Sequence, residues 1–64
     1  MIAEIYQVKA DLKYHTYKEF PTFDAALLCM NKLAKVLDLK FVADQTLFGG
    51  HYVDIETGES WGVR

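Results

Sequence analysis

The sequence predicts an α+β fold: a small β-β-α-β-β domain, with one antiparallel or mixed sheet and a single helix packed on one face. Three observations predict it. Residues 23–38 carry an apolar stripe at helical spacing, preceded by a start signal. The segments on either side are short, aromatic and β-branched, which suits strands. The chain has 64 residues, enough for a single domain over 1–64 and for one small core.

Residues 2–9, IAEIYQVK, read as the first strand, and Tyr14–Phe20, YHTYKEF, as the second. Ile2, Ile5, Val8 and Leu12 would also fit a helical face, but the strand-like segment that follows favours a hairpin. Ala10–Lys13 forms its turn, with Asp11 as the turn residue and no glycine to mark the tight type. Pro21 then ends the second strand, because it has no amide hydrogen to donate.

Thr22 is placed to cap the helix that follows, and Asp24 adds negative charge to its first turn. At 100° per residue, Phe23, Ala26, Leu27, Met30, Leu33, Ala34 and Leu37 fall on one face, wide enough to cover a small sheet. The opposite face holds Asp24, Asn31, Lys32 and Lys35, with Leu28 in its middle. A lone exposed leucine is ordinary; the sharper reading is a partner contact made by Leu28 with Lys32 and Lys35.

Leu39–Ala43 is the third strand. Leu47 and Phe48 follow beside Gly49-Gly50, either folded back as a lid on the core or projecting as an anchor for a partner. His51–Glu56 alternates, with Val53 and Ile55 on one side and Tyr52, Asp54 and Glu56 on the other. A turn through Thr57-Gly58 leads into Glu59–Val63. A type I turn with Gly58 left-handed pairs Val53 with Trp61 and Ile55 with Glu59, so Trp61 and Val63 join Val53 and Ile55 in the core. An extra edge strand is compatible with this order.

Composition narrows the function. The chain is 52% hydrophobic and 25% charged, which suits a folded globule and excludes a disordered tail. The net charge of −2 argues against non-specific nucleic-acid binding. The charge is uneven: residues 41–64 set Asp44, Asp54, Glu56 and Glu59 against Arg64 alone. The single cysteine, Cys29, excludes an intrachain disulfide and fits a reducing, cytoplasmic setting. No apolar run reaches the roughly 20 residues that span a bilayer, and there is no signal-peptide pattern.

No catalytic motif is present, and no cofactor, metal or catalytic residue is assigned. Gly49-Gly50 lacks the Lys and Ser/Thr of a phosphate loop. Cys29 lies mid-helix, without the dipole end or neighbouring cation that would activate a thiol. His15, His51 and Asp54 have no metal-ligand spacing. The acids Asp54, Glu56 and Glu59 imply no apolar pocket that would separate their pKa values.

The residues that point outward are therefore read for binding. Tyr6, Tyr14, Tyr17 and Tyr52, placed on an open sheet face, suit a protein interface, where a rigid ring and a hydroxyl act together. Leu28, Lys32, Lys35 and Phe48 are further contacts, and Asp54, Glu56 and Glu59 form an acidic hairpin able to meet a basic partner. In size, acidity and absence of a catalytic signature the chain is similar to the small modulators that phages encode against host machinery, such as anti-CRISPR proteins or RNA polymerase inhibitors. That resemblance implies a non-enzymatic inhibitor that blocks a protein surface in the host cytoplasm. The alternative is a single-stranded nucleic-acid accessory, stacking bases on Tyr14 and Tyr17 beside Lys9, Lys13 and Lys18. Open sheet edges favour a homodimer.

Overall fold

The computed structural model describes residues 2–45 and 49–64. The elements run β1 (Ala3–Val8), β2 (Tyr14–Phe20), α1 (Phe23–Val36), β3 (Lys40–Ala43), β4 (Gly50–Val53) and β5 (Ser60–Val63). The expected α+β class holds, and the extra strand that the order allowed is present, giving β-β-α-β-β-β; it is β5, inside the sheet and not at its edge. All five strands pair antiparallel in one sheet of order β2-β1-β5-β4-β3.

The first hairpin turns without glycine. Asp11 Oδ1 accepts the Lys13 amide at 2.9 Å, and Leu12 takes a left-handed φ of 62°. The side-chain acceptor holds the turn and offsets the cost of that conformation. On β2 the register shifts by one residue, so Tyr17 is extra between Thr16, opposite Tyr6, and Lys18, opposite Ile5.

Thr22 caps α1 as expected, its Oγ1 accepting the Ala25 amide at 3.2 Å. The helix stops at Val36, two residues short of the expected end. Asp38 turns left-handed at φ 54°, and the Leu39 amide reaches back to the Ala34 carbonyl at 2.9 Å. This is a Schellman closure, and it carries Leu39 into the core. Ala26 and Met30 are fully buried, with Phe23, Leu27, Leu33 and Ala34 packed around them. Leu37, expected on that stripe, is exposed, because the helix has ended beside it.

The last hairpin differs from the expectation by one residue. Tyr52, and not Val53, lies opposite Trp61, and Val53 faces Ser60. The cause is Asp54. Its Oδ1 accepts the Glu56 and Thr57 amides at 3.0 and 3.4 Å, and its carbonyl accepts the Gly58 amide at 2.7 Å. These bonds make residues 55–58 a loop closed by the Asp54 amide on the Glu59 carbonyl at 2.8 Å. A slip of one exchanges the two faces of a strand. Trp61 and Val63 are buried as expected, Val53 lies on the other side, and Ile55 is 70% exposed at the loop.

The helix packs chiefly on β1, β2 and β5. Ala3, Ile5, Trp61 and Val63 meet Ala26 and Met30 there. Strands β3 and β4 extend beyond this cover, so Phe41 remains 55% exposed although its ring meets Tyr52 edge-on at 5.3 Å.

Candidate functional site

No secondary-structure layer covers the other side of the sheet among the described residues. Alternation decides what appears there. Ile5, Trp61 and Val63 point to the helix, so Glu4, Tyr6, Val8, Ser60, Gly62 and Arg64 point away from it. Arg64 and Glu4 lie directly opposite, exchanging backbone hydrogen bonds at 2.8 and 3.0 Å. Tyr6 opposes Gly62 on one side and Thr16 on the other.

These positions build a cluster. The Tyr6 ring lies over Gly62: a Cβ there would come within 2.5 Å of Tyr6 Cζ and 2.6 Å of Cε2, and also against Oη. Tyr14 stacks on Tyr6 with centroids 5.1 Å apart and planes inclined by 29°. The Arg64 guanidinium lies 4.8 Å from the Tyr14 centroid and 5.4 Å from that of Tyr6. Arg64 Nε donates to Glu4 Oε1 at 2.5 Å, and Thr16 Oγ1 donates to Glu4 Oε2 at 2.8 Å. Glu4 is thus satisfied at both oxygens, and Arg64 is held by a carboxylate and a ring face together.

The electrostatics follow from these contacts. The hydrogen bond from Arg64, aided by that from Thr16, holds the Glu4 carboxyl below the usual glutamate range. Burial pushes the Tyr6 phenol up, reinforced by Tyr14 and Asp44 and opposed by Arg64. Tyr6 is only 7% exposed, whereas Tyr14 is 59% exposed. One ring anchors the cluster, and the other is presented to solvent. Near the β3 end of this side, His51 Nδ1 pairs with the Asp44 carboxylate.

The residues singled out in the sequence are dispersed. Tyr14 belongs to the cluster. Tyr17, the extra residue of β2, packs edge-on against Trp61 at 5.1 Å on the helix side, so the two tyrosines do not form one stacking platform. Tyr52 also lies on the helix side, where its hydroxyl donates to Asn31 Oδ1 at 3.1 Å. Leu28 is 60% exposed on the outer face of α1, with Lys32 and Lys35 exposed as well. Asp54 holds the last turn, and Glu59 accepts a hydrogen bond from Gln7 at 3.3 Å. Glu56 is exposed and borders a shallow hollow with Leu37, Asp38, Lys40, Asp54 and Ile55. Phe48, with Leu47, lies outside the described residues.

His15 pairs with Asp11, and among the described residues no group of three or more His, Cys, Asp or Glu is placed to hold a metal. Among the described residues no helix is long and apolar enough to cross a membrane. Sequence reasoning placed Tyr6 with Tyr14 on an open sheet face, as found, but missed Glu4, Gly62 and Arg64. A signal was present: once Trp61 and Val63 are set in the core, Gly62 and Arg64 must share the opposite face. Comparison with protein-family models, curated proteins and solved structures found no match to the chain.

Proposed function

We propose that the chain is a non-catalytic protein-binding module that docks a partner protein on the open side of its sheet, through Tyr14 and Arg64. The observation that carries this reading is the Glu4–Arg64–Tyr14–Tyr6 cluster, an exposed ring and a cation already held in place across β2, β1 and the end of β5. Tyr and Arg dominate binding hot spots. Side chains ordered before binding lose less entropy when the partner arrives. A surface-blocking inhibitor of host machinery, acting in the host cytoplasm, is the role that fits such a module. Self-association belongs to the same reading and is developed below.

Two placements weigh against the nucleic-acid alternative. The charge of Arg64 is matched by Glu4, and Glu19 lies opposite Glu4 on the same side, which is a poor setting for phosphate.

The test is affinity capture from candidate host lysates with the wild-type chain and with Tyr14→Ala and Arg64→Ala. A stoichiometric partner is expected, with each substitution weakening binding by roughly 30-fold, the scale of a hot-spot residue. Capture that is indifferent to both substitutions, or binding of single-stranded nucleic acid that falls with salt, would displace the reading.

A further inference from the structure

The two edges of the sheet are built differently. The β2 edge is interrupted by the extra residue Tyr17 and carries Lys18 and Glu19, features that discourage a further strand. The β3 edge is regular. Its four residues pair with β4 without a bulge, and all four are exposed. The Asp44 amide donates to the Gly49 carbonyl at 3.0 Å, so it points toward β4. Backbone groups alternate along an antiparallel strand, which directs Lys40 and Val42 toward β4 and leaves the amides and carbonyls of Phe41 and Ala43 pointing out from the edge.

From this edge we infer that a second copy of the chain pairs through β3, antiparallel about a two-fold axis at Val42, giving one ten-stranded sheet. In this register Phe41 lies opposite Ala43 of the second copy, and Ala43 opposite its Phe41. Each such pair exchanges two hydrogen bonds, using all of the outward groups of the strand. A large ring faces a methyl group on the helix side, where Phe41 is only partly covered. On the open side Lys40 lies opposite Asp44 of the second copy, twice by symmetry. That charge complementarity favours a self-pair, because one strand carries both signs at matched distances from Val42. Asp44 keeps its own His51 as well.

The axis runs perpendicular to the sheet, so both open sides face the same way. The two β1 strands are then seven strand spacings apart, roughly 34 Å at about 4.8 Å each before twist. The dimer presents two Tyr14–Arg64 clusters on one surface, suited to a partner that is itself two-fold.

Sedimentation equilibrium of the full chain tests the pairing. A dimer is expected for the wild type. Lys40→Glu places like charges opposite each other twice and weakens the dimer at least tenfold, and adding Asp44→Lys to Lys40→Glu restores it. Val42→Cys in a Cys29→Ser background gives a disulfide-linked dimer on oxidation, since a pair without backbone hydrogen bonds brings Cα atoms to about 4.5 Å. A wild-type chain that stays monomeric, a dimer indifferent to Lys40→Glu, or no link through Val42→Cys would each overturn the proposal. Circular dichroism shows whether the charge variants fold; if they do not, the wild-type mass and the Val42→Cys link decide.

Discussion

Replacing Gly62 by Ala tests whether Tyr6 is the anchor of the open side. The new methyl would come within 2.5 and 2.6 Å of two Tyr6 ring carbons, where ordinary contact between carbons is about 3.5–4.0 Å. The ring must therefore retreat by roughly 1 Å. It has little freedom to do so, because Tyr14 stacks on it and Arg64 lies over both rings. Overpacking of this kind costs about 1–3 kcal/mol. In a domain this small, about 2 kcal/mol lowers Tm by roughly 8–16 °C. Urea denaturation and thermal melts of both chains measure it.

A double-mutant cycle isolates the cause. Tyr6→Ala is destabilising on its own, but it removes the ring that the methyl strikes. Gly62→Ala made in that background is expected to cost under about 0.5 kcal/mol, a coupling of more than about 1 kcal/mol between the two sites. Additive costs would refute the reasoning, because they would place the penalty in the β5 backbone and not in the ring above it. Displacing the ring also loosens Arg64, so Gly62→Ala should reduce partner binding even where the chain remains folded.

Three further outcomes follow from the geometry. Thr22→Ala removes the acceptor of the Ala25 amide and should cost about 1 kcal/mol in chemical denaturation. Met30→Ala empties a fully buried site between helix and sheet and should cost about 2–5 kcal/mol, enough to threaten folding of so short a chain. Glu4 sets an acid limb. Its folded pKa is depressed, so its stabilising contribution is full above the ordinary glutamate range and drains as pH falls through the lower folded value. Arg64→Met should flatten that limb in a pH series of urea midpoints, and an unchanged limb would assign the acid sensitivity to other carboxylates.

How much of this was legible in the sequence depends on the range of the interaction that decided each feature. The helix was legible because its period, its Thr22 cap and Pro21 are all local. Its last two residues were lost to Asp38, a non-glycine in a left-handed turn that no pattern marks. The register of the last hairpin was decided by a single carboxylate: Asp54 drew the Glu56 and Thr57 amides into a turn and moved Val53 off the core side. The exposed aromatics were read as one set, yet the extra residue in β2 puts Tyr17 against Trp61 while Tyr14 joins Tyr6. The cluster itself depends on β1 pairing with β5, which joins residues about sixty positions apart in the chain. No local propensity specifies that pairing. It arises because Ile5 and Val63 must share the small core beneath α1.

The burial of Tyr6 shows how a single-layer sheet uses its uncovered side. Among the described residues no second helix covers this side, so a buried ring there needs a cover made of side chains, and Tyr14, Arg64 and the absent side chain of Gly62 provide it. The groups that stabilise Tyr6 are therefore the groups through which we propose a partner docks, and on that reading docking and the ionisation of Tyr6 are linked. Burial already raises the Tyr6 pKa. The neutral phenol is favoured in the fold, so its contribution to stability is full below the ordinary tyrosine range and is lost as pH rises through the higher folded value. A partner seated over Tyr14 and Arg64 removes more water from Tyr6 and should raise that value again. Spectrophotometric titration of the phenols in the free and bound chain reads the shift directly. A Tyr6 that ionises at the same pH in both would place the partner elsewhere on the molecule.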